Sequence, residues 1–140
     1  MTFKEQVQRQ LERDEKRSAL LYYDSLNIPT IGIGRNLKRG LSEDEIDYLF
    51  TNDYNSHLKE MLEAFPWAAD LDEPRKAALL NMCFNMGVPV MKTFTSTLAA
   101  LKEGRWEDAA RHARNSKWYS QVGHRGPRVV KQFETGEWQY

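Results

Sequence analysis

Residues 15–34, Glu-Lys-Arg-Ser-Ala-Leu-Leu-Tyr-Tyr-Asp-Ser-Leu-Asn-Ile-Pro-Thr-Ile-Gly-Ile-Gly, decide the fold of this chain. The apolar and aromatic residues at 20–23 and at 28–34 predict two short strands, joined by a polar turn at 24–27. Gly32 and Gly34 alternate with Ile31 and Ile33, which indicates a tight, bent strand that other groups approach closely. The stretch therefore predicts a small β-hairpin near the N-terminus.

Helical patterns lie on both sides of this hairpin. Phe3, Val7 and Leu11 predict a first helix over about residues 2–14. Ser42 and Glu45 form a capping box, and the helix that begins there is expected to run for about six turns.

The remaining chain is also predicted to be helical. The apolar run 77–86 predicts a buried helix, and shorter helices are expected at about 96–102, 106–114 and 127–133. We therefore expect an α+β, mainly α fold with a small N-terminal hairpin lobe, a long connecting helix and a larger helical lobe. The chain is expected to be one domain, with the small lobe at about 15–60 and the helical lobe at about 61–140 plus the N-terminal helix 2–14.

Size and charge limit the classes of function. A chain of 140 residues suits a single domain, and its formal net charge of zero gives no support for bulk attraction to nucleic acid or an anionic membrane. The charge is uneven, since residues 41–73 hold ten acids and one lysine whereas residues 105–131 hold seven lysines and arginines and two acids. These blocks are typical of solvated helix faces; alternatively, the basic part contacts an anionic polymer.

Cysteine content and hydropathy bear on the compartment. The single Cys83 lies in an apolar run and is expected to be a small buried core residue, and one cysteine cannot form an internal disulfide. The N-terminus has no apolar signal region, and no run approaches the ~18 apolar residues of a membrane span. We expect synthesis in the cytoplasm without a signal peptide, and no stable membrane insertion.

Several carboxylates surround the hairpin. Glu12, Asp14 and Glu15 end the first predicted helix, and Asp24 lies in the turn. Glycoside hydrolysis needs two carboxyl groups in different protonation states, and a helix end followed by a hairpin can hold such a pair across a cleft. Acids at helix ends and turns more often act as caps or face solvent, so the local pattern alone leaves both interpretations open.

The spacing of these residues resembles a known signature. Glu15, eight residues, Asp24, five residues and Thr30, followed at once by Ile-Gly-Ile-Gly, is similar to the signature of glycoside hydrolase family 24, the phage-type lysozymes or endolysins. The resemblance implies a two-lobed lysozyme fold, and it covers nearly all of residues 5–138. Further matching stretches lie at 75–87, 94–98, 105–110, 116–121 and 128–138.

The chain also departs from that family's pattern. The stretch 37–41 is much shorter than in T-even phage members, so the small lobe should lack part of its sheet. Arg35 stands where the family often has His, and Lys16 stands where Gly commonly follows the catalytic Glu. These departures bear on the shape of the cleft more than on the reaction.

The resemblance assigns a role to each residue of the signature. Glu15 would be the general acid that protonates the glycosidic oxygen. Asp24 would hold the attacking water, and Thr30 would hydrogen-bond the same water; the alternatives are an Asx turn for Asp24 and a plain β-branched strand residue for Thr30. Such a set implies an inverting mechanism and argues against a lytic transglycosylase, which needs no positioned water.

Five further residues resemble supporting positions. Arg125 matches a family arginine that pairs with the catalytic Glu. Asp14 and Arg128 resemble a supporting ion pair, and Phe84 and Asn85 resemble residues that line the cleft. No group of His, Cys and Asp has the spacing of metal ligands, so we expect no metal and no cofactor.

The resemblance also implies a function. It indicates a monomeric endolysin that hydrolyses the β-1,4 bond between N-acetylmuramic acid and N-acetylglucosamine in peptidoglycan, for host cell lysis. It would act on the cell wall in the periplasm and depend on a holin-type pore. The alternatives are a catalytically weak or inactive cell-wall-binding relative, and an antibacterial effector or tail component with the same activity. A nucleic-acid binder that uses residues 105–131 fits poorly with the zero net charge.

Overall fold

The computed structural model describes all 140 residues, and the chain begins with a helix and a small antiparallel sheet. Helix α1 spans Phe3–Glu15, and strands β1 (Arg17–Tyr23), β2 (Pro29–Ile33) and β3 (Arg35–Asn36) follow in the spatial order β1-β2-β3. A single 3-10 turn, Leu37–Arg39, connects the sheet to the long helix α2, Glu43–Ala64.

The rest of the chain is helical. A 3-10 turn at Pro66–Asp70 precedes α3 (Glu73–Met86), α4 (Val88–Met91), α5 (Thr95–Lys102), α6 (Trp106–Arg114), α7 (Lys117–Gln121) and α8 (Arg125–Thr135). The predicted α+β, mainly α fold with an N-terminal hairpin is therefore confirmed. No helix combines the length and the apolar character needed to cross a bilayer.

Local sequence signals explain the helix ends. The predicted capping box is present, since the Ser42 amide donates to the Glu45 carboxylate and the Glu45 amide donates to the Ser42 hydroxyl. Thr2 and Glu5 form a second capping box at the start of α1, which sequence reasoning had not identified. These reciprocal bonds satisfy amides that a helix leaves free at its N-terminus.

The chain divides into two compact units, Met1–Leu49 and Phe50–Tyr140, so that the boundary falls within α2. Every buried hydrophobic side chain belongs to the second unit, where Phe133, Leu79 and Met82 are fully covered. Cys83 is buried there too, as predicted, and burial raises the pKa of its thiol to about 11. In the first unit only Thr30 is buried. The expected limits of the two lobes stay a prediction.

The apolar residues of α2 are largely uncovered in its first half, where Ile46 and Leu49 are 44% and 46% exposed. Helical spacing predicts which residues share a face of the helix, but not how much of that face another element covers. In this unit the face meets a sheet whose third strand has only two residues, which leaves an open cavity of about 540 Å³ beside Ile31, Ile33 and Leu49.

Candidate active site

Glu15 is the last residue of α1, and its side chain lies against β2's C-terminal end. A Cβ atom built on Gly34 would be 3.1 Å from Cβ and Cγ of Glu15 and 3.2 Å from its Oε2. Gly34 also has a φ of +67°, a conformation that favours glycine. The second glycine of the Thr-Ile-Gly-Ile-Gly run is therefore favoured by its backbone conformation and by the space that the predicted acid occupies.

The residue after Glu15 has an unusual backbone. Lys16 has φ 71° and ψ 152°, a region that is essentially restricted to glycine. Its Nζ lies 4.2 Å from the centre of the Tyr22 ring, and the Tyr22 hydroxyl donates to the carbonyl of Glu15 at 2.8 Å. The structure thus gives a physical reason for the glycine that the family commonly has at this position.

Asp24 is half-buried and organises the hairpin turn. Its Oδ1 accepts hydrogen bonds from the amides of Leu26 and Ile28, both at 2.9 Å, while its Oδ2 accepts none within the protein. Asn27 completes the turn with a φ of +60°. The structural interpretation of Asp24 as an Asx-turn former is therefore correct, and one carboxylate oxygen is left over for another role.

Thr30 is 3% exposed and lies in β2, opposite Tyr22 on β1. Its hydroxyl donates to the carbonyl of Ile28 at 2.8 Å. Asp24 and Thr30 are consequently fixed to the same residue, one through the Ile28 amide and the other through the Ile28 carbonyl. Because the hydroxyl proton of Thr30 is used in this bond, its Oγ1 offers only lone pairs to a further partner.

The supporting residues lie in both units. In the first unit, Asp14 forms an exposed ion pair with its neighbour Arg13 at 2.9 Å, and the hydrogen bond from Arg13 lowers the pKa of the Asp14 carboxyl. In the second unit, Arg125 begins α8 and Arg128 lies one turn later, both exposed and neither paired with a carboxylate of that unit. Their predicted pairing with Glu15 and Asp14 stays a prediction.

Phe84 and Asn85 are neighbours on α3 with different surroundings. Phe84 is half-buried, with its ring 4.4 Å from that of His57 and stacked at 6.2 Å on that of Phe50. Asn85 is exposed; its Oδ1 accepts a hydrogen bond from Nε1 of Trp118 at 2.9 Å, and it lines a cavity of about 510 Å³ in the helical unit. Their role as cleft residues stays a prediction.

Two features near Glu15 escaped sequence reasoning. Lys16 was noted only as a departure from the family, although a non-glycine residue at a glycine position is itself a signal of unusual backbone. Tyr22 gave no signal, because its contact with Glu15 depends on an irregularity of β1 that local sequence does not reveal. No group of three or more His, Cys, Asp or Glu side chains is arranged to hold a metal ion.

An N-terminal antiparallel hairpin followed by a helical region, with a carboxylic acid at the end of the helix that precedes the hairpin, is an organisation of the lysozyme class. The family model described as phage lysozyme matches residues 12–133. The chain therefore belongs to the phage lysozyme family. Membership makes it a lysozyme-type glycoside hydrolase and implies peptidoglycan as its substrate.

Sequence similarity to individual proteins is consistent with this family. The chain is 33% identical over 130 residues to "Probable T4-type lysozyme 1" of Dictyostelium discoideum, covering 90% of this chain and 70% of that protein. It is 31% identical over 110 residues to "Probable T4-type lysozyme 2" of the same organism, covering 76% of this chain and 65% of the relative. It is also 28% identical over 155 residues to "Pre-baseplate central spike protein Gp5" of Enterobacteria phage T4, covering 90% of this chain but only 27% of that protein.

Proposed function

We propose that the chain hydrolyses the β-1,4 bond between N-acetylmuramic acid and N-acetylglucosamine with inversion, using Glu15 as the general acid. The observation that carries this proposal is that one short segment, residues 28–34, fixes all three predicted catalytic groups. Gly34 leaves the space that the Glu15 side chain occupies, Ile28 is hydrogen-bonded to both Asp24 and Thr30, and Thr30 is itself part of the segment. Holding several groups against one segment is an effective way to preorganise them.

The hydrogen bonds around Asp24 and Thr30 support a distinct catalytic role for each of the three residues. Glu15 would give its proton to the glycosidic oxygen as the bond to the anomeric carbon breaks. A water would donate one hydrogen to Oδ2 of Asp24 and the other to Oγ1 of Thr30, because both oxygens can accept. Its lone pair would then point away from both groups toward the anomeric carbon, and Asp24 would take the water's proton on attack. Water would enter opposite the leaving group, which gives an inverted product.

Two variants separate the catalytic from the structural role of the acids. Asp24→Asn keeps an amide Oδ1 that can accept from Leu26 and Ile28, so the turn should persist while the negative charge is lost. We expect this variant and Glu15→Gln to lose about 10²–10⁴-fold in the rate of lysis of outer-membrane-permeabilised cells. The control is Glu12→Gln, since Glu12 lies one turn earlier on α1 and its carboxylate is bonded to Gln8 and Arg17.

The outcomes of this experiment are distinct. If Glu15→Gln retains more than about a tenth of the wild-type rate, or if Glu12→Gln is equally impaired, the assignment of Glu15 is wrong. The anomeric configuration of the first product, followed by NMR, tests inversion, and a retained β-anomer would contradict the role of Asp24. Binding of glycan strands by a folded wild type without turnover would favour the cell-wall-binding alternative.

We also propose that this activity serves host cell lysis, with synthesis in the host cytoplasm and passage to the periplasm through a holin-type pore. The similarity to a phage central spike protein favours one alternative, delivery of the same activity as a tail component. Expression in a bacterial host with and without a co-expressed holin distinguishes the two. Lysis that requires the holin supports the endolysin role, whereas holin-independent lysis contradicts it.

A further inference from the structure

Strand β1 has an irregularity that sets the position of Tyr22. Ser18 is paired with Gly32, and Tyr22 is paired with Thr30, so four residues of β1 span the interval that two residues of β2 span. Without this bulge, Leu20 would lie opposite Thr30. Bulges redirect side chains and are frequent next to active sites.

The side chain of Ser18 stabilises the bulge. Its hydroxyl donates to the carbonyl of Leu20 at 2.7 Å and accepts from the amide of Leu20 at 3.3 Å. These bonds occupy backbone groups that the bulge leaves without a partner on β2. The placement of Tyr22 therefore depends on a side chain four positions earlier.

From this position Tyr22 reaches back to the end of α1. The carbonyl of Glu15 is one of the last four of the helix, which have no partner within the helix, and the Tyr22 hydroxyl donates to it at 2.8 Å. The face of the same ring lies beneath the Lys16 ammonium, at 4.2 Å. Tyr22 thus contacts both residues of the junction, one of which has the strained backbone described above.

We propose that Tyr22 is a positioning residue for the general acid, and that it acts by holding the backbone of Glu15 in register with Thr30. This inference rests on the proposed role of Glu15. The absence of a side chain at Gly34 leaves room for the side chain of Glu15, and the Tyr22 hydroxyl fixes its main chain. Because Tyr22 would act through Glu15, its loss should lower kcat and leave KM unchanged.

The chain offers a matched pair of variants. Tyr22→Phe keeps the ring beneath Lys16 and removes only the hydroxyl, whereas Tyr23→Phe makes the same change at the next residue, which is 62% exposed. The Tyr23 hydroxyl has no hydrogen bond within the protein. On soluble peptidoglycan fragments, well below the melting temperature, we expect Tyr22→Phe to lower kcat about tenfold with KM unchanged, and Tyr23→Phe to behave as wild type.

A second variant keeps the proposal testable if Tyr22→Phe is unstable. Ser18→Ala should also lower kcat, and the double variant Ser18→Ala/Tyr22→Phe should lose no more than Tyr22→Phe alone, because both changes act through one contact. A purely structural role would lower the melting temperature of either variant and leave kcat unchanged.

The result that overturns the proposal is a Tyr22→Phe variant whose kcat is within about twofold of that of Tyr23→Phe. Glu15→Gln is measured alongside. If Glu15→Gln is inactive while Tyr22→Phe is not impaired, the positioning role fails and the proposed function stands. If Glu15→Gln is itself active, the proposed function fails.

Discussion

Replacing Gly34 with alanine should lower both the catalytic rate and the stability of the protein. The new methyl group would meet Cβ and Cγ of Glu15 at 3.1 Å, closer than ordinary van der Waals contact, so the Glu15 side chain must shift by a few tenths of an ångström. A displacement of 1 Å can cost about 10²-fold in rate, so a shift of about half that size should cost about tenfold, or about 1.4 kcal/mol of barrier. The positive φ adds a folding cost of about 1–2 kcal/mol.

Gly32 is the matched control for this variant. It lies two residues earlier in the Thr-Ile-Gly-Ile-Gly run with a φ of +69°, against +67° for Gly34, and a Cβ atom built on it has no neighbour within 4 Å. Gly32→Ala should therefore carry a similar backbone penalty without displacing Glu15. Comparing the two variants separates backbone strain from the contact with the acid.

The assay combines denaturant unfolding with turnover of peptidoglycan under conditions where both variants are fully folded. We expect similar losses in the free energy of unfolding and a roughly tenfold lower kcat for Gly34→Ala than for Gly32→Ala. Equal turnover in two folded variants would refute the view that Gly34 makes room for Glu15.

Three further predictions test other parts of the structure. Lys16→Gly should be at least as stable as wild type in denaturant unfolding, because relief of about 1–3 kcal/mol of backbone strain offsets the loss of the cation–π contact and the greater freedom of glycine. Lys16→Ala keeps the strain and loses the contact, so it should be less stable than wild type by about 0.5–1 kcal/mol. The pKa of the Cys83 thiol is raised from 9.0 to about 11, so its contribution to the free energy of unfolding is complete below pH 9 and is lost as the pH rises toward 11. The free energy of unfolding of Cys83→Ala should therefore fall less than that of wild type over this range. An equal fall in the two proteins would exclude the thiol as the cause. Phe133→Ala should lower the free energy of unfolding by about 3–5 kcal/mol because Phe133 is fully buried. Phe3→Ala should change it by less than about 0.5 kcal/mol because Phe3 is 85% exposed. Similar values for the two variants would contradict the location of the core.

Much of the fold could be predicted because its signals are local. Helix α2 begins directly after the capping residue Ser42, as expected, and α3 ends directly before Gly87. The hairpin followed from strand-forming residues on either side of a polar turn. Such features depend on neighbours within four residues, which a sequence displays directly.

The surroundings of the candidate acid could not be predicted in this way. The spacing of Glu15, Asp24 and Thr30 identified the candidates by resemblance, without showing that Ile28 fixes two of them. The close approach of Glu15 to the Gly34 position and the hydrogen bond from Tyr22 to the Glu15 carbonyl depend on a bulge and on the direction in which α1 ends. These properties arise when separate segments meet, and no periodicity within one segment encodes them.

The most direct test of the proposed muramidase activity is the chemical nature of the ends that the protein creates in purified peptidoglycan. Digestion followed by borohydride reduction and sugar analysis identifies which sugar carries the new reducing end. We predict new reducing ends on N-acetylmuramic acid with wild type, and at least about 10²-fold fewer with Glu15→Gln. New ends on N-acetylglucosamine, a 1,6-anhydro product, or equal yields from the two proteins would contradict this prediction.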